Sequence, residues 1–242
     1  MGESLGMKVA YAGTRNLYPW FKPAIRSLLA HNKVETIYLM IEDDDVPEGL
    51  PEANYKVINV SGQTVFDEAC PNINSQFTYM AMMRALYADL IPDEDRIISL
   101  DIDTIVCDSL EPIWNMDLTG KWMSAAVEYF GQYNPFKYPC YFNVGVAVFN
   151  LDEMRKDSAP KLLTDFLYTH KIMCIEQDAL NFYTVIPRKV IELPTRYNES
   201  SLTGVTKTPA VVHYAGYTDW TTNKNMPRRE YLEMWMDPPV EP

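Results

Sequence analysis

Two aspartates one residue apart follow a short apolar run in the stretch RIISLDIDTIVCDSL, residues 96–110. Residues 97–100 have the composition of a buried strand, so Asp101 and Asp103 stand where that strand is expected to end. In an extended backbone, residues i and i+2 point to the same side about 6.5 to 7 Å apart. Two carboxylates so placed can share one Mg²⁺ or Mn²⁺, which commonly completes its shell with substrate phosphates. A bare Asp-x-Asp is also common by chance, and on its own it favours two solvated loop aspartates.

The elements that would position this pair alternate along the chain. Strands are predicted at 7–13, 34–41, 55–60, 96–103, 122–130, 141–151, 189–193 and 210–214, and helices at 19–32, 75–91, 158–170, 176–186 and 228–236. This alternation predicts an α/β sheet whose first half is parallel. Ligands of such sheets bind at the carboxyl ends of the strands, which is where Asp101 and Asp103 are expected.

Composition narrows the class of protein. The 242 residues suit one large domain or two small ones, and 33 acidic against 21 basic residues give a formal charge of −12. That charge disfavours binding to nucleic acid or to an anionic membrane surface. No apolar run of 18 residues predicts a transmembrane segment, and the N-terminus lacks the pattern of a signal peptide. Four scattered cysteines without a Cys-x-x-Cys pair favour reduced thiols in a cytoplasmic protein. The ending DPPVEP is typical of a linker, and we expect the natural protein to continue beyond it.

A long segment around the aspartate pair resembles a known family. Residues 83–114, MRALYADLIPDEDRIISLDIDTIVCDSLEPIW, are similar to the signature of the retaining glycosyltransferases of family 8, which include glycogenin and bacterial lipopolysaccharide galactosyl- and glucosyltransferases. Four later segments resemble further motifs of that family in the same order, namely YFNVGVAVFNL (141–151), EQDALN (176–181), LPTRYN (193–198) and VVHYAGYTDW (211–220). The resemblance covers about residues 77–220. It implies the GT-A fold, a single mixed and mostly parallel sheet flanked by helices, in one domain over residues 1–236 with a Pro-rich tail at 237–242.

The resemblance implies a metal site. Asp101 and Asp103 match the two carboxylates of the family that bind Mn²⁺ (or Mg²⁺), and His213 matches a third ligand that arrives from a distant strand. A histidine met alone at position 213 would favour a buried side chain bonded to the backbone. The sequence HYAG around it favours a metal ligand at position 213.

Other matches imply contacts to a sugar donor. Arg84 matches an arginine that contacts the donor, although an exposed helix arginine is equally compatible with the sequence. Asn143 and Gly145 match a pair whose amide and backbone groups contact the donor sugar. A glycine in a packed strand can also serve the core.

Glu176, Gln177 and Asp178 match the catalytic motif that lies beneath the reacting sugar, with Glu176 where the family usually has Asp. Enzymes of this family retain the anomeric configuration, although their sites have no obvious carboxylate nucleophile. An amide is a weak nucleophile, so Gln177 is expected to stabilise an oxocarbenium-like transition state. The favoured mechanism is a front-face reaction within the ion pair.

Two positions depart from the family pattern. After the first strand the family carries an acidic residue that holds the nucleotide base, but this chain has Thr14 and Arg15 in YAGTRNLY. Ala12, Thr14 and Tyr18 are the nucleotide contacts expected from that stretch, with Tyr18 stacking on the base.

The closing motif of the family normally contains a lysine that reaches the diphosphate, and here Asp219 takes its approximate place. Gly216 remains a predicted donor contact, and Lys224 is the predicted substitute for the lysine.

The sequence leaves three functions open. The first is a retaining transferase that moves a hexose from a nucleotide sugar, UDP-glucose or UDP-galactose, to an unknown glycan, lipid or protein acceptor. The second is a weak or inactive nucleotide-sugar-binding module of the same fold, and the third a nucleotidyltransferase, which would be expected to show a Gly-rich basic loop after strand one. Aromatic residues at 128–138 form a candidate platform for acceptor sugars, although most such residues belong to a core or an interface.

Overall fold

The computed structural model describes residues 6–75, 77–128, 134–201, 204–216, 219 and 221–237. The strands in this part of the chain are β1 Met7–Ala12, β2 Val34–Ile41, β3 Tyr55–Asn59, β4 Arg96–Leu100, β5 Thr104–Val106, β6 Met123–Val127, β7 Phe142–Asn150, β8 Val190–Leu193, β9 Glu199–Ser200 and β10 Val211–His213. The helices are α1 Tyr18–His31, α2 Tyr79–Met83, α3 Tyr87–Leu90, α4 Glu111–Trp114, α5 Leu151–Lys156, α6 Ala159–Thr169, α7 Ile175–Thr184 and α8 Arg229–Glu233.

Seven strands form the main sheet in the order β3-β2-β1-β4-β7-β6-β8. Strands β3, β2, β1 and β4 are mutually parallel, β7 runs antiparallel to both β4 and β6, and β8 is parallel to β6. The prediction of an α/β sheet with a parallel first half is therefore confirmed. The loops after β1, β2 and β4 all leave the sheet at the same edge.

Both faces of the main sheet are apolar. Along β1, Val9 and Tyr11 pack with Phe21, Ile25 and Leu28 of α1, while the intervening Ala10 belongs to a second cluster on the opposite face. That second cluster includes residues of α2, α3, α6 and α7. Because helices cover both faces, the strands read as nearly continuous hydrophobic runs, and polar side chains gather at the strand ends.

A second sheet of three short strands, in the order β5-β10-β9, lies beyond the end of β4. Strand β5 pairs antiparallel with β10, and the register places His213 opposite Thr104. Only β10 was predicted from the sequence, because β5 and β9 are two or three residues long and carry little pattern. This small sheet brings residues from opposite ends of the family-like region together.

The predicted helix at 75–91 is wrong as a single element. The chain forms α2, then a 3₁₀ turn at Arg84–Leu86, then α3. Helix formers occupy this stretch throughout, so local propensity does not mark the interruption. The tightened turn carries Arg84, whose buried guanidinium donates to the Val144 carbonyl at 2.7 Å.

Two predictions from composition can be compared with the structure, one about transmembrane segments and one about the cysteines. No helix among the described residues is long and apolar enough to cross a membrane. All four cysteines are free thiols.

Candidate functional site

Asp101, Asp103 and His213 form one cluster, in which the nearest ligand atoms of the three side chains lie within 4.8 Å of one another. Strand β4 ends at Leu100, and the chain turns sharply through residues 101–103 before β5 begins. The hydroxyl of Thr104 donates to the Asp101 carbonyl at 2.6 Å across this turn. The expected extended geometry of the pair is therefore wrong, and a turn brings the carboxylates together.

The small sheet positions His213. Its neighbour Tyr214 donates a backbone hydrogen bond to the Asp103 carbonyl at 2.9 Å. The imidazole Nε2 lies 3.3 Å from Asp103 Oδ1 and 3.6 Å from Asp101 Oδ2. Burial alone would lower the pKa of His213, but the two carboxylates outweigh it and raise that pKa to about 9. The ring alone therefore acts as a cation toward the aspartates, and a divalent ion held by the three side chains would displace the proton on Nε2.

Gly145 on β7 touches both sides of the cluster. Its carbonyl accepts from the Asp101 N–H at 2.7 Å. A Cβ at this position would lie 2.1 Å from His213 Cε1 and 2.9 Å from Asp101 Oδ2. Only glycine allows the backbone this close approach, which gives the predicted donor-site glycine a steric role at the cluster.

The donor set fits a divalent cation. Two carboxylates and one imidazole are ligands that Mn²⁺ accepts, and Mg²⁺ takes the oxygens. The carboxylates of Asp101 and Asp103 also lie close together, and a cation between them would offset their mutual repulsion. Because Gly145 has no side chain, it leaves room for the side chains of His213 and Asp101.

Arg84 links the cluster to α7. Its guanidinium forms an ion pair with Asp101 and lies 3.6 Å from Glu176. Glu176 is 6% exposed, and burial raises its pKa to about 7 although Arg84 acts in the opposite direction. The alternative of an exposed helix arginine is wrong, because Arg84 is only 9% exposed.

Gln177 and Asp178 share a partner in Tyr141. Gln177 Oε1 accepts from the Val144 N–H at 3.1 Å, and its Nε2 donates to the Tyr141 hydroxyl at 3.2 Å. That hydroxyl donates in turn to Asp178, whose other oxygen accepts from the Cys174 N–H at 3.0 Å. Asp178 is fully buried, while Gln177 is half-buried. The amide of Gln177 is thus held at both ends by the protein.

Asn143 is the centre of a polar network. Its Oδ1 accepts from the Gly145 N–H at 2.9 Å and from Asn198 Nδ2 at 2.8 Å, and its Nδ2 donates to Glu128 at 2.6 Å. Asn198 Oδ1 lies 2.9 Å from His213 Nδ1. Sequence reasoning assigned no role to Asn198 or Glu128, although Asn198 ends the family-like segment LPTRYN.

The predicted nucleotide contacts lie at the ends of β1 and β2. Ala12 ends β1, and the buried Thr14 donates to Asn16 at 2.7 Å. Tyr18 donates to Asp43 at 2.8 Å, and Arg15 pairs with the same carboxylate at 2.7 Å.

Glu42 completes this arrangement. Its carboxylate accepts from the Arg15 N–H and from the Tyr79 hydroxyl, both at 2.9 Å. Residues 42–45 are four consecutive acidic residues, but their position in the sequence does not show that they hold Arg15.

Of the closing motif, Val211–His213 form the buried strand β10, while the described residues Gly216 and Asp219 are exposed. Gly216 has φ +84, a left-handed conformation that favours glycine. Asp219 is exposed, and its carbonyl accepts from the Thr222 N–H at 2.9 Å. Lys224 is exposed as well. The role of Lys224 at a diphosphate stays a prediction.

The structure describes only part of the candidate aromatic platform at residues 128–138. Residues 129–133 lie outside the described part of the chain. Phe136 stacks on Tyr138 at 5.1 Å between ring centroids and meets Phe182 edge-on at 5.5 Å. Both Phe136 and Tyr138 pack against a core cluster, which favours the core interpretation for these two rings.

Comparison with known proteins places the chain in a family. The sequence model of glycosyl transferase family 8 matches residues 8–223. General stress protein A of Bacillus subtilis (strain 168) is 28% identical over 190 residues, which are 65% of this chain and 64% of that protein. The probable galacturonosyltransferase-like 4 of Arabidopsis thaliana is 31% identical over 142 residues, 50% of this chain and 38% of that protein. The chain thus spans less than two thirds of the length of both relatives.

Solved structures share the fold along almost the whole chain. The galactosyltransferase LgtC, in complex with donor and acceptor sugar analogs, superposes with a TM-score of 0.75 at 19% identity, covering 96% of this chain and 98% of that one. The glycosyltransferase GlyE of Streptococcus pneumoniae TIGR4 gives 0.74 at 21% identity, covering 97% and 61%. The fold is GT-A, and this protein belongs to glycosyltransferase family 8.

Proposed function

We propose that this protein is a metal-dependent retaining glycosyltransferase that transfers a hexose from UDP-glucose or UDP-galactose to an acceptor. The observation that carries the proposal is the cluster of Asp101, Asp103 and His213 at the carboxyl edge of the sheet, beside the buried Arg84. Mn²⁺ or Mg²⁺ bound there supplies positive charge to the donor diphosphate and to the departing nucleotide. The acceptor in this proposal is a glycan, a lipid or a protein.

The protein's own groups orient the donor in this proposal. Arg84 holds Asp101 in place through its ion pair and is itself anchored by the Val144 carbonyl. The Asn143–Gly145 segment presents amide and backbone groups to the sugar. Glu176 on α7 lies 3.6 Å from the Arg84 guanidinium.

Gln177 supports a front-face reaction. Its amide oxygen already accepts from the Val144 N–H, and its nitrogen donates to Tyr141. An amide held in this way is a poor nucleophile and a good dipole for stabilising positive charge at the anomeric carbon. Asp178 is fully buried behind Tyr141, so its part is to hold Tyr141 and Gln177 rather than to touch the sugar.

The alternative, a weak or inactive nucleotide-sugar-binding module, is favoured by the closing motif. Asp219 replaces the lysine expected there, and Lys224, its predicted substitute, is exposed. The guanidinium of Arg84 is engaged by Asp101, Val144 and Glu176. A donor could therefore bind while the departing diphosphate receives little help from lysine or arginine.

Calorimetry with UDP-glucose and UDP-galactose, with and without Mn²⁺, tests both functions when UDP release is assayed in the same samples. Binding that requires Mn²⁺, followed by slow UDP release, is the expected result. Mn²⁺-dependent binding without release in the presence of sugar and glycan acceptors would support the binding module. UDP release that is independent of metal would contradict the proposed enzyme.

The extent of the domain is part of the proposal as well. We propose one domain over residues 1–236 with a tail at 237–242. Within that tail Asp237 forms ion pairs with Lys22 and Arg26 of α1 at 2.6 and 2.8 Å, and residues 238–242 lie outside the described part. The cytoplasmic location stays a prediction from the free cysteines.

A further inference from the structure

A continuous line of hydrogen bonds connects Glu128 to His213. Glu128 accepts from Asn143 Nδ2 at 2.6 Å, Asn143 Oδ1 accepts from Asn198 Nδ2 at 2.8 Å, and Asn198 Oδ1 lies 2.9 Å from His213 Nδ1. Asn198 and His213 are 7% and 4% exposed. Glu128 follows β6, Asn143 lies on β7, Asn198 ends a 3₁₀ turn at Thr195–Asn198, and His213 ends β10. Only the fold brings these four residues together.

One group with an unambiguous role fixes the direction of the line. The backbone N–H of Gly145 can only donate, and it lies 2.9 Å from Asn143 Oδ1. The Nδ2 of the same amide then faces Glu128 at 2.6 Å. Asn143 must therefore present its oxygen to Asn198, and Asn198 must answer with its NH₂ group.

The orientation of the Asn198 amide in turn determines which ring nitrogen of His213 carries a proton. With its NH₂ group turned to Asn143, Asn198 has its oxygen facing His213 Nδ1. An amide oxygen accepts and does not donate, so Nδ1 must carry the proton. In the neutral ring, Nε2 is then the nitrogen with a free lone pair, and it is the atom that faces Asp101 and Asp103.

We propose that Asn198 is a positioning residue that sets the tautomer and the orientation of His213, so that Nε2 is presented to a cation held with Asp101 and Asp103. The inference rests on the proposed metal-dependent function. It assigns a role to the segment LPTRYN and ties the metal ligand to Asn143 and Gly145, the predicted donor contacts. Partners that orient a metal-binding histidine in this way commonly change metal affinity about 10- to 100-fold when replaced.

A purely structural role for Asn198 predicts a different result. Asn198 then only fills space, and a leucine of similar size would preserve the site. An orienting role requires an acceptor at this position, which aspartate supplies and leucine does not. Asn72 offers a matched control because it is a buried asparagine that donates to the carbonyls of Leu167 and His170, outside the cluster.

The first test measures Mn²⁺ affinity of the protein without nucleotide by electron paramagnetic resonance, together with the melting temperature. We expect Asn198→Leu to bind Mn²⁺ about 10- to 100-fold more weakly. Asn198→Asp should recover part of that loss, because it keeps an acceptor for His213 but loses the hydrogen bond to Asn143, and Asn72→Leu should bind Mn²⁺ as the unchanged protein does. Equal affinity in Asn198→Leu and the unchanged protein would overturn the inference, as would an equal loss in the Leu and Asp variants. If the unchanged protein binds no Mn²⁺, the proposed metal site itself fails.

The second test needs no variant at position 198. The chain has three histidines, so long-range ¹H–¹⁵N spectra of histidine-labelled protein saturated with diamagnetic Zn²⁺, which accepts both imidazole and carboxylate ligands, contain few ring signals. The variants His31→Gln and His170→Gln assign the other two rings. A neutral His213 protonated at Nδ1 is the expected signature, and a ring protonated at Nε2 would contradict the inference.

Discussion

Two acidic clusters lie at the same edge of the main sheet, one after β2 and one after β4, and their charges are balanced in different ways. After β2, Asp43 pairs with Arg15, and the two side chains are 38% and 62% exposed. After β4, Asp101 pairs with Arg84 and lies 3.6 Å from His213, and these two cationic side chains are only 9% and 5% exposed. The clusters are similar in composition but differ in burial.

The difference shows why an acidic pair in a sequence does not by itself identify a site. Water screens the pair after β2, and exposed ion pairs contribute little to stability. The hydrogen bond from Arg15 holds the pKa of Asp43 below its usual range, which satisfies that carboxylate without a ligand. Screening by water is weaker around the cluster after β4, where Asp101 and Asp103 lie beside the buried Arg84 and His213. A cation held between the two aspartates would offset their mutual repulsion.

The largest difference between the two clusters is expected when one carboxylate is removed from each. We expect Asp103→Ala to lower Mn²⁺-dependent UDP release about a thousandfold, or about 4 kcal/mol of transition-state stabilisation. Asp43→Ala should leave Mn²⁺ affinity unchanged, because Asp43 is balanced by Arg15 in the other cluster. Coupled UDP-release assays and Mn²⁺ titrations measure the two effects. Full activity in Asp103→Ala would remove the basis of the proposed function.

The buried charge of Glu176 should appear in the pH dependence of stability. Its pKa rises from 4.5 to about 7 on folding, mainly through burial, so the folded protein keeps a proton that the unfolded chain releases. The free energy of unfolding should therefore fall as pH rises between about 4.5 and 7, by about 3 kcal/mol at most. Urea unfolding of Glu176→Gln lacks this contribution, so its stability relative to the unchanged protein should increase from pH 5 to pH 8. If the free energies of unfolding of the two proteins changed with pH in the same way, the raised pKa of Glu176 would be contradicted.

Gly145 provides a steric test of the buried cluster. A methyl group at this position would overlap His213 and Asp101, so Gly145→Ala should weaken Mn²⁺ binding about 10- to 100-fold by displacing a ligand. Gly62 is the matched control, because a Cβ there would meet nothing within 4 Å. Isothermal titration of both variants with Mn²⁺ measures the effect. Equal affinities would show that His213 and Asp101 adjust without loss.

The smallest effect is expected at the exposed cluster. Arg15→Gln removes a cation whose partner is well solvated, so the melting temperature should change by about 1–2 °C. The affinity for UDP should change by less than about threefold, because Arg15 is engaged by Asp43 rather than free. Differential scanning calorimetry and a UDP titration check both numbers. A large loss of UDP affinity would show that Arg15 reaches the nucleotide.

Local sequence predicted the residues of the buried cluster but not its geometry. Asp101, Asp103 and His213 were recognised by their motifs, and the structure brings them within one cluster. The extended arrangement expected for the aspartates was wrong, because the Thr104 hydroxyl and the pairing of β5 with β10 stabilise a turn. The continuous helix expected at 75–91 was wrong at Arg84, where a tertiary ion pair rather than helix propensity distinguishes the turn.

The sequence by itself determined the class of fold, the positions of the longer strands along the chain and the family, because hydrophobic periodicity and short motifs are local properties that tertiary structure does not alter. Only the tertiary structure decided which charges are buried and which groups meet. Arg84 is buried against Asp101 while Arg15 stays in water, and Asn198 meets His213 across 15 residues. Burial and long-range contacts set the strength of every electrostatic interaction, and neither can be read from the spacing of residues along the chain.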